Sequence, residues 1–198
     1  MASVLLVIVA VGFAPSFYVP GMFGPEQAAP GKPGLPSYIV VHGIALTLWY
    51  LLLFTQSLLI ATKRVRIHRS LGIGGAALAA ALVPLSLLVI IRSVARSNLG
   101  ALPVIGDLGI LALFATLVTL GIHFRSKPDA HKRLMVIASI GLVAPAIARW
   151  PGAESAVPLS VIVPQLTMCA AIIVHDIVTR RRVHPATAWG VAAYLVII

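Results

Sequence analysis

The chain has 198 residues, of which 60% are hydrophobic and only 10% are charged, and its mean hydropathy is +1.03. A water-soluble globular protein needs a more polar surface than this composition provides, so the sequence predicts an integral membrane protein. The net charge of +10 does not indicate nucleic-acid binding, because the basic residues fall in short clusters between apolar runs. The single cysteine, Cys169, excludes an intramolecular disulfide.

Apolar segments follow one another along the whole chain, separated by short polar connections. A helix that crosses a membrane needs about 20 mostly apolar residues. We therefore predict an all-α, polytopic transmembrane helix bundle that forms one domain over residues 1–198, with six to seven spans and seven favoured. The last segment is short for a full crossing. The predicted helices cover residues 2–18, 37–62, 71–92, 107–124, 134–150, 159–178 and 184–198.

The basic residues are divided unequally between the two sides of this predicted bundle. Eleven of the fifteen Lys and Arg residues fall in or beside the connections that follow the second, fourth and sixth helices. Cytoplasmic connections of membrane proteins carry an excess of Lys and Arg. The even-numbered helices should therefore end in the cytoplasm, which puts the amino terminus there too. The four remaining basic residues, on the opposite side, are Lys32, Arg92, Arg96 and Arg149.

Each of the three basic connections also carries a histidine just before the next helix. The three sequences read KRVRIHRSLG, RSKPDAHKRLM and TRRRVHPATAWG. Five of the six histidines and two aspartates are consequently predicted on the cytoplasmic face: His68, His123, His131, His175, His184, Asp129 and Asp176.

This cytoplasmic His/Asp cluster predicts a metal site. Imidazole and carboxylate are common ligands of Zn, Fe and Cu, which support redox or hydrolytic chemistry. The spacing is weak evidence, since no HxxxH or HExxH pattern occurs. The predicted ligands are His68, His123, His131, His175, Asp176 and His184.

Two other interpretations of these histidines remain open. Residues that stand just before a helix, such as His68, His131 and His184, can cap its free N–H groups or bind lipid phosphate. Alternatively, a b-type haem takes axial ligands from two helices at matching depth, and His123 with His175 is the pair that fits this arrangement.

The second helix carries a stripe of polar residues within its apolar sequence. His42, Trp49 and Gln56 are spaced seven apart, which places them on one side of a helix. Polar side chains are costly against lipid, so the stripe should face protein or water. It predicts either a substrate or proton path toward the cytoplasmic cluster or hydrogen bonds between helices.

Several motifs together resemble a group of uncharacterised bacterial multi-pass inner-membrane proteins. The motifs are GFAPSFY, HGIALTLWYLLLFTQSLLIATKRVRIHRSLG, PDAHKRLM and HDIVTRRRVHPATAWG. The chain is also distantly similar to a predicted membrane protein family of unknown function, with a histidine and a glutamine on one helix and an HR pair before the next. The resemblance implies a bacterial inner-membrane location and no particular activity. The positions that match by resemblance are His42, Gln56, His68, His131, His175 and His184.

Two further functional classes remain open beside a metal-binding enzyme. Small size, short connections and the lack of a known catalytic motif are typical of an accessory subunit or assembly factor of a larger membrane complex. Pro84, Pro145 and Pro164 near mid-membrane suggest a small transporter, although two matched inverted halves are not visible. A retinal-binding protein is excluded, because the last lysine, Lys132, precedes the fifth helix. The lipid bilayer is the expected partner in every case.

Overall fold

Helices make up all the regular structure in the computed structural model of this chain, which describes residues 1–19, 35–96, 101–150 and 159–198. No strand occurs in these ranges, so the predicted all-α class is confirmed. Lys32 lies outside them. In chain order the helices are α1 (Ala2–Phe13), continued by a π-helical turn (Ala14–Tyr18), α2 (Ser37–Ala61), α3 (Val65–Arg96), α4 (Ala101–His123), α5 (Pro128–Gly141), α6 (Ala144–Ile147), α7 (Leu159–Arg180) and α8 (Pro185–Ile197).

Four of these helices are long and apolar enough to cross a membrane: Ser37–Ala61, Val65–Ala95, Pro103–His123 and Leu159–Arg180. Ala2–Tyr18 and Pro185–Ile197 are apolar but shorter. The lengths and composition fit association with a lipid bilayer, as the hydropathy predicts.

The basic connections are shorter than the sequence suggests, because much of each basic run is helical. Lysine and arginine are good helix formers, so basic residues such as Arg66, Arg69 and Lys132 lie within helices rather than in the connections. Only Thr62–Arg64 separates α2 from α3, and Lys63 makes the turn with φ 60°. His68 therefore lies on the first turns of α3. The turn between α7 and α8 likewise contains Arg181 at φ 59°.

The predicted helix 134–150 is divided into α5 and α6, and a proline explains the break. Pro145 has no N–H to donate to the carbonyl of Gly141, four residues earlier. Gln165 of α7 compensates, since its Nε2 donates to the carbonyls of Ile140 at 2.9 Å and Gly141 at 3.3 Å. Pro84 and Pro164, by contrast, lie within continuous helices.

Helix α5 lies at the centre of the bundle and contacts α1, α4, α7 and α8. Most of its residues from Leu134 to Gly141 are buried, whereas a helix at a protein surface buries only one face. The first turns of α5 carry Asp129, His131 and Arg133, so the basic connections meet around this helix end. The largest side chains of the core include Leu5, Tyr50, Leu82, Phe114, Ile137, Ile140, Ile147 and Tyr194.

Candidate functional site

Two polar clusters lie at the end of the bundle where the α2–α3, α4–α5 and α7–α8 connections meet, which we call the basic end. The first joins α2, α3 and α5 through Gln56, His68 and His131, and we call it the histidine cluster. The second joins α5, α7 and α8 around Arg133 and Asp176, and we call it the arginine cluster. Both include the first turns of α5.

In the histidine cluster, the imidazole rings of His68 and His131 approach each other. Their centroids are 6.2 Å apart and their planes are inclined by 85°. Nδ1 of His131 lies 2.8 Å from the backbone carbonyl oxygen of Gly121 on α4. Because a carbonyl only accepts, this nitrogen must carry the proton, and Nε2 of the neutral ring keeps a free lone pair.

The other members of the histidine cluster have buried polar atoms that no described residue engages. Nδ1 of His68 and Oε1 of Gln56 are both buried and make no hydrogen bond to the described residues. Gln56 faces α3, since its Nε2 is 3.6 Å from the position that a Cβ on Gly72 would occupy. A buried polar atom without a partner is costly, so both atoms favour binding a water molecule or an ion.

In the arginine cluster, the carboxylate of Asp176 is fully buried and fully engaged. Arg133 donates from Nε to Oδ1 at 2.9 Å and to Oδ2 at 3.1 Å, and its Nη2 also contacts Oδ1. Thr187 donates from Oγ1 to Oδ2 at 2.5 Å, and the backbone N–H of His184 donates to the same oxygen at 3.1 Å. Asp176 thus ties α5 and α8 to α7.

Asp129 continues this cluster toward the surface. Its carboxylate contacts Nζ of Lys132 at 2.7 Å, Nη1 of Arg133 at 3.2 Å and Nη1 of Arg180 at 2.7 Å. The hydrogen bonds from Lys132 and Arg180 hold the pKa of the Asp129 carboxyl well below its usual range. The negative charge of Asp129 is therefore compensated by three cations.

His184 is the N-cap of α8, as one interpretation of the sequence predicts. Its Nδ1 accepts from the backbone N–H of Ala186 at 3.0 Å. Partial burial and the nearby charges of Arg133 and Arg180 lower the pKa of His184. The ring is thus held neutral, which the cap requires, because a protonated imidazole cannot accept a hydrogen bond.

The remaining predicted ligands lie on the surface of the basic end. His123 is exposed and stacks edge-on against Phe124, with ring centroids 4.9 Å apart. The side chain of His175 is 62% exposed, with Nδ1 3.9 Å from Oδ1 of Asp176. Within the described part of the chain, no three His, Cys, Asp or Glu side chains lie together as a metal-binding group. The six predicted ligands therefore do not form one site there, and haem ligation by His123 with His175 stays a prediction.

The polar stripe of α2 has three different environments. Trp49 donates from Nε1 to Oγ of Ser139 on α5 at 3.1 Å, and neighbouring Tyr50 donates to the Ser139 carbonyl at 2.8 Å. Interhelical hydrogen bonding is thus observed at Trp49. Gln56 belongs to the histidine cluster. His42 has a buried Nδ1 with no partner among the described residues.

Several residues of these clusters give no signal in the sequence. Arg133 follows His131 and Lys132 in a basic run, and nothing local distinguishes it from the exposed lysine before it. Thr187 and Ser139 are ordinary small polar residues of helices. Their roles depend on partners far away in the chain, such as Asp176, which is 43 residues from Arg133.

In comparisons with family models, curated proteins and solved structures, nothing matches the chain significantly.

Proposed function

We propose that this chain is a multi-pass inner-membrane protein that binds a transition-metal ion at the histidine cluster. The observation that carries the proposal is the approach of His68 and His131, whose ring centroids are 6.2 Å apart. Two imidazoles that share one tetrahedral ion, at metal–nitrogen distances of about 2.0–2.1 Å, have ring centroids about 5.2 Å apart, so binding an ion would draw the two rings together by about 1 Å.

The hydrogen bonds around the two rings support this assignment. A metal-bound histidine usually donates its second ring nitrogen to a carbonyl or carboxylate, which orients the ring. His131 makes such a bond to Gly121, leaving Nε2 as the ligand atom. On the other side, Nδ1 of His68 and Oε1 of Gln56 are buried polar atoms that make no hydrogen bond to the described residues. Oε1 of Gln56 would be the third ligand of the ion.

The proposed donor set favours an open site. Two neutral imidazoles and one amide oxygen leave at least one position of a tetrahedral ion for water or substrate, as catalytic sites require. Zinc, copper and iron all accept such ligands, and the ion would supply hydrolytic or redox chemistry. The arginine cluster is not a ligand source in this proposal, because the oxygens of Asp176 are engaged by Arg133, Thr187 and His184.

The orientation belongs to the same proposal. We assign seven spans, with α1, α5–α6 and α8 completing the four longer helices, and a cytoplasmic basic end. The support is the excess of eleven basic residues over four at that end. The bacterial inner membrane is assigned from the sequence resemblance.

Metal analysis of detergent-purified protein tests the proposal. The chain is loaded with Zn²⁺ or Co²⁺, desalted, and assayed for metal content and visible absorption. We expect about one ion per chain, with the intense Co²⁺ bands of a low-coordinate site. His68→Gln and His131→Gln should lose the ion, whereas His123→Gln and His175→Gln, the same change at exposed positions of the basic end, should keep it.

The outcomes separate the proposal from its competitors. A Soret band from haem that depends on His123 and His175 would favour the haem interpretation. A protein that takes up no metal, or loses it equally in all four variants, contradicts the assignment. Thermal unfolding of each variant distinguishes loss of a ligand from loss of the fold.

A further inference from the structure

We propose that a groove between α4, α5 and α8 at the basic end binds one anionic phospholipid. The groove has a volume of about 640 Å³, and none of Gln56, His68 and His131 lines it. The phosphate group of the lipid would lie at Lys127 and the first turn of α5, and its acyl chains would extend along Trp189. The proposal does not depend on metal binding.

The walls of the groove are apolar and come from three helices. Leu120 and Phe124 line it from the end of α4, Leu134 from α5 and Trp189 from α8. The side chain of Trp189 is 78% exposed. Tryptophan in such a position is typical of the interface between lipid and water. The groove also lies at the depth expected for lipid headgroups, because the candidate span Pro103–His123 ends beside it.

The mouth of the groove has an uncompensated positive charge. Lys127 extends over the ring of Phe124, with Nζ 5.5 Å from the ring centroid, and has no ion pair with a described carboxylate. Asp129, the nearest acid in the lining, is already held by Lys132, Arg133 and Arg180. It therefore does not neutralise Lys127.

The beginning of α5 adds to this positive field. The helix starts at Pro128, after Lys127, and has no side-chain hydrogen bond at its N-cap. The helix dipole favours a negative charge at this end, although Pro128 has no N–H, the N–H groups of Ala130 and His131 already donate to the carbonyl of Lys127, and Asp129 lies in the same turn. Pro128, Asp129 and Ala130 of this turn line the groove itself. A phosphate in the groove would thus be attracted mainly by the ammonium group of Lys127, with a smaller contribution from the helix dipole.

The combination of features identifies the ligand as an anionic phospholipid. A free phosphate would need no apolar walls, and a wholly apolar molecule would need no positive mouth. The cationic headgroup of a zwitterionic lipid would be repelled by Lys127 and its basic neighbours. Anionic lipids are also attracted to clustered Lys and Arg beside a membrane helix.

Native mass spectrometry of delipidated protein tests the proposal. The protein is titrated with phosphatidylglycerol and with phosphatidylcholine of identical acyl chains. We expect one phosphatidylglycerol per chain at ratios where phosphatidylcholine is not retained. Lys127→Ala should lower the apparent affinity about fivefold, the factor that one basic residue contributes near an anionic surface. Ala130→Trp, which fills the groove, should abolish the binding.

Arg66→Ala is the matched control, because Arg66 is exposed at the same end of the bundle but on α3. It should leave the affinity unchanged. Should Ala130→Trp fail to fold, Trp189→Ala, which removes one apolar wall, takes its place and should weaken the binding. Equal retention of both lipids, an equal effect of Arg66→Ala and Lys127→Ala, or displacement of the lipid by millimolar inorganic phosphate would each overturn the proposal.

Discussion

Arg133 and Asp176 form a buried ion pair that joins the first turns of α5 to the end of α7. Their side chains are 4% and 0% exposed, and the guanidinium contacts both carboxylate oxygens. Taking two charges out of water is costly, and this cost is offset only while each charge has the other as its counter-ion. The backbone N–H of His184 and the hydroxyl of Thr187 satisfy the remaining lone pairs of the carboxylate.

Removing one member of this pair should be far more destabilising than removing both. Arg133→Met leaves Asp176 buried without its counter-ion, and we expect a loss of about 3–5 kcal/mol in the free energy of unfolding. The double variant Arg133→Met with Asp176→Leu should recover much of that loss, because no uncompensated charge remains. Unfolding in detergent, arranged as a double-mutant cycle, measures both effects.

The neighbouring Lys132 provides the control for this prediction. Its side chain is 58% exposed and pairs with Asp129 on the surface. Lys132→Met should therefore change the free energy of unfolding by less than about 1 kcal/mol. A loss at Lys132 equal to the loss at Arg133 would mean that total charge, rather than the buried pair, stabilises the basic end.

The arginine cluster also shows how far the sequence can predict this site. The alternation of apolar runs and basic connections predicts the helical class and gathers the histidines at one end. It does not single out Arg133, because the run His131, Lys132 and Arg133 gives three polar residues of equal appearance. Arg133 is buried because its own face of α5 packs against Asp176 of α7, and that packing is not a local property of the sequence.

The helix ends are less predictable from the sequence, because they too depend on contacts between distant residues. His68 is on a helix because lysine and arginine continue helices well, whereas hydropathy alone suggests a loop there. The break after Gly141 depends on Pro145 and on the distant donor Gln165. By contrast, the N-cap role of His184 is predictable, since a residue before Pro185 is biased away from helical geometry and precedes a helix start.

Gly12 allows α1 to approach α6 closely, so Gly12→Ala should be destabilising. A Cβ at this position would fall on the backbone carbonyl of Ala146, which cannot rotate away as a side chain can. The strain should exceed the gain of about 1 kcal/mol that alanine normally brings to a helix interior. Differential scanning fluorimetry of the detergent-solubilised protein measures the shift in melting temperature.

Gly74 of α3 is the matched comparison, because a Cβ there would meet nothing within 4 Å. Gly74→Ala should stabilise the protein, so the two substitutions are expected to have opposite signs. If Gly12→Ala also raised the melting temperature, α1 would not pack against α6 through this contact.

Ser139 receives two hydrogen bonds from α2, and the one from Trp49 can be removed selectively. In Trp49→Phe the ring remains but the donor to Oγ of Ser139 is lost. We expect a cost of about 0.6 kcal/mol for the bond, plus the loss of packing against Phe114. In a double-mutant cycle with Ser139→Ala, the coupling energy isolates the hydrogen bond. A coupling energy of zero would mean that the hydrogen bond between Trp49 and Ser139 does not stabilise the packing of α2 against α5.

The cap at His184 should make the stability of the fold depend on pH near neutrality. Burial, Arg133 and Arg180 lower the pKa of His184 below the ordinary value of 6.5. As pH falls through that value, the unfolded chain binds a proton before the folded chain does, so the folded state loses stability. Protonation also removes the acceptor for the N–H of Ala186, and a lost cap costs about 0.5–2 kcal/mol.

His184→Asn tests this pH dependence, because asparagine retains a cap acceptor and does not titrate. The variant should lose less stability than the wild type when the pH is lowered from about 7.5 to about 5.5. Asp129 does not interfere in this window, since its carboxyl titrates below the ordinary value of 3.8. His123→Asn, at an exposed position, should follow the wild-type curve. Parallel curves for wild type and His184→Asn would instead assign the acid sensitivity to other histidines.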